Sequence, residues 1–458
     1  MSWTLGELAS HCGGVLRGDA ETPVRGVSTD TRSLEPGQLF VAIRGERFDG
    51  HDYAADALVR GAAGALISRD LPDTGATIRV DDTVRALGEL AARHRERFAR
   101  PVVAITGSNG KTTTKEMCAA ILGARGLRVC RSPGNLNNHI GLPLAVLRLL
   151  LEDDALVVEL GMNRAGEIAQ LATIASPTVG AVTNVALAHL GPLGSLEAIA
   201  RAKGELFEHI RPDGTAVVNV DDPHCVEQAK RFAGRILRFG RKEPADFRAT
   251  ETATTHEGES FLLSTDGRRC RVELKAPGEH LIEDALCAAT AAAATGLLGS
   301  RPLEAIRRGL EGFEPVAGRL ALRRTPAGVT LLDDSYNANP ESASAAISTL
   351  TARGRGGRSV AVLGDMLELG ADAAALHAKI GRTAAECGVD VLVAVGPLSV
   401  HTARAAADAG VGKTVEVLDP GDAPERVCGL VRPGDTVLVK GSRAMRMERV
   451  VAALLERD

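Results

Sequence analysis

Short apolar runs rich in β-branched residues recur along this chain, and stretches with helical spacing separate them. Residues 102–106, 155–160, 179–185 and 215–220 are such runs. Unbroken apolarity over four to seven positions predicts strands buried on both faces, and their alternation with helical patterns predicts a parallel βαβ sheet. The alternation returns beyond Pro315, with strands expected at 329–333, 359–363, 391–395 and 436–440 and helices at 342–351, 373–387 and 400–409. A second doubly wound sheet follows from it. The first hundred or so residues differ in texture: short runs such as 38–43 sit among turn clusters, and a basic helix-like stretch at 91–100 ends at Pro101. Residues 237–274 are polar and alternating, which predicts a small antiparallel excursion. The pattern divides the chain into three α/β domains, at 1–98, 99–316 and 317–458.

A length of 458 residues gives each domain room for its own core, and 45% hydrophobic with 24% charged residues is a folded, globular balance. Charge narrows the partners. With 54 Lys+Arg against 58 Asp+Glu the chain lacks the basic excess of a nucleic-acid binder, and 3% aromatics leaves no stacking platform for single strands. No basic-then-apolar leader opens the sequence, and the longest uncharged stretch, 285–300, is Ala-rich and reads as a buried helix rather than a membrane span. Eight scattered cysteines without a Cys-x-x-Cys pair fit small core residues of a reducing compartment. The expected protein is cytoplasmic, with no membrane insertion and no nucleic-acid partner.

Candidate chemistry starts at Gly107-Ser108-Asn109-Gly110-Lys111-Thr112-Thr113, which follows a strand and opens a helix. Glycines let backbone N–H groups turn toward phosphate oxygens, and a helix N-terminus adds positive potential. Lys111 is placed to neutralise terminal phosphates, and the Thr112 hydroxyl to ligate Mg²⁺. Glu159 interrupts an apolar strand near its end, which makes it either a second Mg²⁺ ligand beside the loop or one half of a strand-end salt bridge. His189 lies on a loop past the strand at 179–185, on the same side of the sheet. Lys203 falls inside the apolar stripe Leu196, Ile199, Ala200, Leu206, Phe207 and Ile210 of a helix expected at 195–210. A lysine there either snorkels to solvent or has a specific partner.

Longer motifs carry a resemblance. They are Asp30-Thr31-Arg32, the Thr-Gly-Ser-Asn-Gly-Lys-Thr-Thr loop, Gly134-Asn135-Leu136-Asn137-Asn138, Ala202-Lys203-Gly204-Glu205, Asp333-Asp334-Ser335-Tyr336-Asn337-Ala338-Asn339-Pro340, Gly364-Asp365-Met366-Leu367-Glu368-Leu369-Gly370 and Lys440-Gly441-Ser442-Arg443. Through them the chain resembles the Mur ligase family from end to end, and the Asp-Ser-Tyr-Asn-Ala-Asn-Pro and Gly-Asp-Met-Leu-Glu-Leu-Gly motifs point to the branch that adds D-Ala-D-Ala to UDP-MurNAc-tripeptide. The resemblance implies a monomer with an N-terminal UDP-substrate domain, a central ATPase and a C-terminal Rossmann-like domain for the incoming amine. It implies ATP, two Mg²⁺ sites, and an acyl phosphate that the amine attacks. By matching position, Thr112 and Glu159 serve one Mg²⁺ and His189 the second, while Lys203 takes up CO₂ to become a carbamate ligand. Lys111, Lys203 and His189 are then the catalytic set. His280 and Asp284 lie in the family's nucleotide motif, and Arg319 and Asp334 match residues that hold the ATP phosphates and ribose. Ser28, Asp30, Arg32, Asn137, Asn138 and Asn337 match substrate contacts, and Ser442 sits where the family holds the amine substrate's carboxylate.

Three positions in two motifs depart from the pattern. The family's Gly-x-His-Asn-x-x-Asn reads Gly278-Glu279-His280-Leu281-Ile282-Glu283-Asp284, so Leu281 offers no polar contact and Asp284 lacks an amide donor. Arg164 stands where many relatives have His. The rival readings are another ligase of the superfamily, such as a folylpolyglutamate synthase, or a non-catalytic ATP-driven switch. A diaminopimelate-adding ligase would carry Asp-Asn-Pro-Arg where this chain has Asn337-Ala338-Asn339-Pro340-Glu341, and a switch has no use for Glu159, His189 and Lys203 together. Without ligands an open arrangement is expected, with Arg319 and Ser442 far from Lys111.

Overall fold

The apolar runs become the parallel strands of three main sheets in a computed structural model that describes residues 3–71, 75–187, 190–354 and 356–457. Five strands form the N-terminal sheet, in the order Val15–Arg17, Thr77–Arg79, Gly64–Ile67, Gln38–Val41, Gly26–Ser28, with only the first pairing antiparallel. Nine form the central sheet. Val102–Thr106 lies between Ala155–Glu159 and Val179–Val182, all parallel, with Val129–Arg131 outside the former. Because the chain leaves the central strand first to one side and later to the other, its C-terminal end opens on a crevice, the usual ligand position in such sheets.

On the other side the sheet continues through Thr215–Asn219 and Arg235–Gly240 to Phe247–Thr254, still parallel. Glu259–Thr265 and Arg268–Leu274 then close the edge antiparallel. The alternating segment is therefore no separate excursion. Its first strand joins the parallel ladder, and the hairpin behind it extends the same sheet. The C-terminal sheet runs Ala321–Arg324, Thr330–Asp334, Thr436–Lys440, Ser359–Gly364, Val391–Val395, Lys413–Val417, parallel except for the first strand.

Cores join the domains unequally. One cluster runs unbroken from Trp3, Leu8 and Leu39 through Leu87 and Leu90 to Val158, Leu171 and Phe207, so the N-terminal sheet and one face of the central sheet share it. Helix Thr83–Glu96 bridges them, and its buried Arg95 donates to Ala175 O at 2.8 Å, Ser176 O at 2.8 Å and Phe98 O at 2.6 Å. These carbonyls include the free C-terminal end of helix Glu167–Ala175, which a guanidinium satisfies well. The second central face packs on helices Leu281–Ala294 and Pro302–Glu311. The C-terminal sheet has its own two cores. The expected Ala-rich buried helix is the first of that helix pair, and all eight cysteines are free.

Candidate active site

Backbone sets the loop after Val102–Thr106. Gly107 sits at φ 150° and Gly110, the cap of helix Lys111–Gly123, at φ 79°, and a Cβ at Gly110 would stand 1.9 Å from Asp284 Oδ1. Neither position accepts a side chain. Asn184 holds the loop from the neighbouring strand end: its backbone O accepts from Ser108 N at 2.9 Å and its Oδ1 from Asn109 N at 3.0 Å. Ser108 Oγ donates to Ala186 O at 3.0 Å, and Thr183 Oγ1 donates to Asn109 O at 2.6 Å. Lys111 Nζ folds back to Gly107 O at 2.8 Å and Ser108 O at 3.3 Å. An ammonium resting on carbonyls has no anion to lose, so a phosphate entering the loop takes it over at little cost.

Glu159 is fully buried at the end of its strand, in register with Ile105 beside the loop. Thr112 Oγ1 donates to its Oε2 at 2.6 Å and Asn137 Nδ2 to its Oε1 at 2.5 Å. Among the described residues no cation pairs with it. A hydroxyl and a carboxylate side by side form the hard oxygen pair that Mg²⁺ takes from protein when phosphates supply the rest. Among the described residues no three His, Cys, Asp or Glu side chains converge as a metal cluster. His189 lies outside the described residues.

Lys203 is 2% exposed on helix Leu196–Glu208, facing the same cavity as Glu159 and Lys111. Snorkelling is thereby excluded. Burial, with the Lys111 charge nearby, holds its amine well below the ordinary lysine range, a shift toward the uncharged form. Asp284 is 5% exposed, and burial first, then the Glu283 charge, pushes it up to about 7. Its contact is Thr114 Oγ1, at 3.5 Å. His280 lies just ahead of helix Leu281–Ala294, and burial lowers it too.

The C-terminal sheet closes the cavity, which measures about 610 Å³ and is lined from both sides. Asn339 Nδ2 donates to Asn109 Oδ1 at 2.7 Å, joining the two sheets at the loop itself. The expected open arrangement is thus not what the structure has. Arg319 lines the same cavity as Lys111, because the turn that carries it is clamped: Gly318 N donates to Asp333 Oδ2 at 3.1 Å, Leu320 N to Asp334 Oδ1 at 3.1 Å, and Tyr336 N to Gly318 O at 3.0 Å. Leu320 adopts φ 54° within that turn. The Arg319 guanidinium lies 4.2 Å from the Tyr336 ring centroid, and Arg443 lies 5.6 Å from it. Asp334 pairs with Lys440 Nζ at 2.5 Å, and Lys440 also donates to Asn337 O at 2.9 Å.

The substrate candidates divide. Asn137, Asn138 and Asn337 line the cavity with the loop residues Ser108, Asn109, Gly110 and Thr113. Asn137 is committed to Glu159, and Asn138 Oδ1 accepts from Ile140 N at 3.1 Å and Gly141 N at 2.8 Å. Ser442 is buried, its Oγ accepting from Leu367 N at 2.8 Å, and is not in the cavity wall. Ser28, Asp30 and Arg32 stay with the N-terminal sheet, where Arg32 pairs with Asp30 at 2.7 Å and Ser28 Oγ donates to Asp30 O at 3.0 Å. The sequence reading missed Tyr336, Asn339 and Lys440. Lys440 carried the same signal as Glu159, a charge ending an apolar strand; the other two sat inside a motif read only as a block.

Family models match the chain three times, as Mur ligase family, catalytic domain over residues 23–95, Mur ligase middle domain over 105–292, and Mur ligase, glutamate ligase domain over 318–443. The UDP-N-acetylmuramoyl-tripeptide–D-alanyl-D-alanine ligase of Escherichia coli is 41% identical over 100% of this chain and 99% of its own length. Among solved structures, MurF from Acinetobacter baumannii superposes with a TM-score of 0.90 at 36% identity, over 100% of this chain and 99% of that one. MurF ligase from Thermotoga maritima in complex with ADP superposes with a TM-score of 0.81 at 29% identity, over 94% and 97%. With these matches along its whole length, and a phosphate loop, a strand-end carboxylate and a buried lysine facing one cavity, the chain belongs to the Mur ligase family.

Proposed function

We propose that this protein joins D-Ala-D-Ala to UDP-MurNAc-tripeptide at the expense of ATP, a step in peptidoglycan synthesis. End-to-end identity with the E. coli enzyme of that name carries the reading. In the reaction a carboxylate oxygen of the tripeptide attacks the γ-phosphorus and ADP leaves. The dipeptide's amine nitrogen then attacks the acyl carbon, sheds a proton, and phosphate departs. Bringing two anions together is the electrostatic problem, and Lys111 and Arg319 are two cations in the cavity wall that would offset it. Thr112 and Glu159 would hold Mg²⁺, whose charge would offset that of the phosphates.

A neutral Lys203 amine is the form that adds to CO₂: its nitrogen bonds the carbon, a proton leaves, and a carbamate anion results. That anion would serve the second Mg²⁺ together with His189. A charged UDP-linked substrate favours a cytoplasmic enzyme, and a monomer is the state we propose for it. The test is phosphate release from ATP with Mg²⁺ and lysine- or diaminopimelate-containing tripeptide, with and without D-Ala-D-Ala. Release that needs both substrates and yields pentapeptide by mass is expected. No release from folded, ATP-binding protein would overturn the reading.

A further inference from the structure

Lys115 is 0% exposed, one turn beyond Lys111 on the helix that the phosphate loop opens. An ammonium has three donors, and all three are used: Ser132 O at 2.6 Å, Gly134 O at 2.8 Å and Glu116 Oε1 at 3.0 Å. Glu116 is itself tied to Arg131 at 2.8 Å. The two carbonyls belong to the turn that leads into Asn135, Leu136 and Asn137. That turn needs holding, since Gly134 adopts φ 53° and the segment contributes no strand. Asn137 reaches Glu159 Oε1 from it, while its backbone O accepts from Gly161 N at 2.8 Å just past the same strand.

These contacts close a ring. It runs from Thr112 to Glu159, from Glu159 to Asn137, back along the turn to Ser132 and Gly134, and through Lys115 to the helix that bears Thr112. Every link but the covalent ones is a charged or side-chain hydrogen bond of 2.8 Å or less. We infer that Lys115 is a positioning residue for the cation site at Thr112 and Glu159, acting by fixing Asn137, and with it the rotamer of the Glu159 carboxylate. It never touches the nucleotide or the metal, and it ties the substrate-side turn to the phosphate-loop helix as one rigid piece.

The inference rests on the metal reading above, so its test measures metal binding directly. Mn²⁺ is titrated by electron paramagnetic resonance into full-length protein saturated with ADP, for wild type, Lys115→Met and Lys115→Gln. Methionine matches the stem and has no donor; glutamine keeps two N–H donors. Outer-shell partners of a metal site change affinity by about 10–100-fold, and about tenfold weaker Mn²⁺ binding is expected for the Met variant, with partial recovery for Gln. ADP affinity measured without metal stays at the wild-type value, which a general loosening of the fold would not leave unmoved. If the Met variant does not fold, the Gln variant alone decides, with about threefold weaker binding expected from this same outer-shell effect. Wild-type Mn²⁺ affinity in the folded variants would overturn the role of Lys115. No Mn²⁺ on the wild-type ADP complex would instead overturn the metal reading.

Discussion

Asp284 is where the residue chemistry is most exposed to test. Burial, then Glu283, raises its carboxyl to about 7, while Arg319, Thr114 and Lys111 pull the other way less strongly. The folded value therefore lies above the unfolded one, near 3.8. Between those values the native state binds more protons than the unfolded chain, so stability falls as pH rises from about 4 to about 7 and is level above. Asp284→Asn removes the charge. It is expected to be more stable than wild type by about 2 kcal/mol at pH 8, with the gap closing by pH 5, in urea melts at the two pH values. Tyr336 gives a second test. Cation–π contacts contribute about 0.5–2 kcal/mol, so Tyr336→Leu should lower kcat about tenfold by freeing Arg319, while Tyr336→Phe keeps most of it. Glu159 and Lys203 were legible in the sequence because a charge on an apolar strand or stripe is conspicuous by itself. Asn137 was legible only as a substrate contact, and Asn339 and Tyr336 not at all, since their partners lie on remote segments that only the fold brings near.

Helix Pro340–Arg353 shows what an element adds. Asn339 caps it, its side chain accepting from Ser342 N at 2.9 Å, and the same amide donates across the cavity to Asn109. One residue starts the helix and joins the sheets. Serine caps as well as asparagine but is too short to reach Asn109. Asn339→Ser is expected to leave thermal stability within about 0.5 kcal/mol and to weaken ATP binding several-fold, with a larger radius of gyration by small-angle scattering. Strand positions were largely readable: 391–395 and 436–440 are observed as Val391–Val395 and Thr436–Lys440. The alternating segment was half readable: its antiparallel pairing is observed, but alternation marks one wet face of a strand and says nothing about which sheet it joins.

At the scale of the whole molecule the shared core predicts two cooperative units. The N-terminal and central sheets share one apolar cluster, and Arg95 fastens them through three carbonyls, whereas the C-terminal sheet is enclosed by its own cores. Calorimetry is expected to show two transitions, not three. Arg95→Met, which orphans those carbonyls at about 1 kcal/mol or more each, should lower only the one that includes the central sheet. ATP should raise both and draw them together, since its site is built from each side.

Leu320 has a bearing on how Arg319 is aimed. A leucine at φ 54° is held in a region that costs about 1–3 kcal/mol, and it sits where the chain passes from the central to the C-terminal sheet. The clamp from Asp334 and the Tyr336 backbone is made wholly on the C-terminal side, so it holds the turn however the sheets lie. The strain is a standing cost of presenting one guanidinium to the cavity. Leu320→Gly would lift that cost and slacken the turn, leaving Arg319 free to swing away from the phosphates.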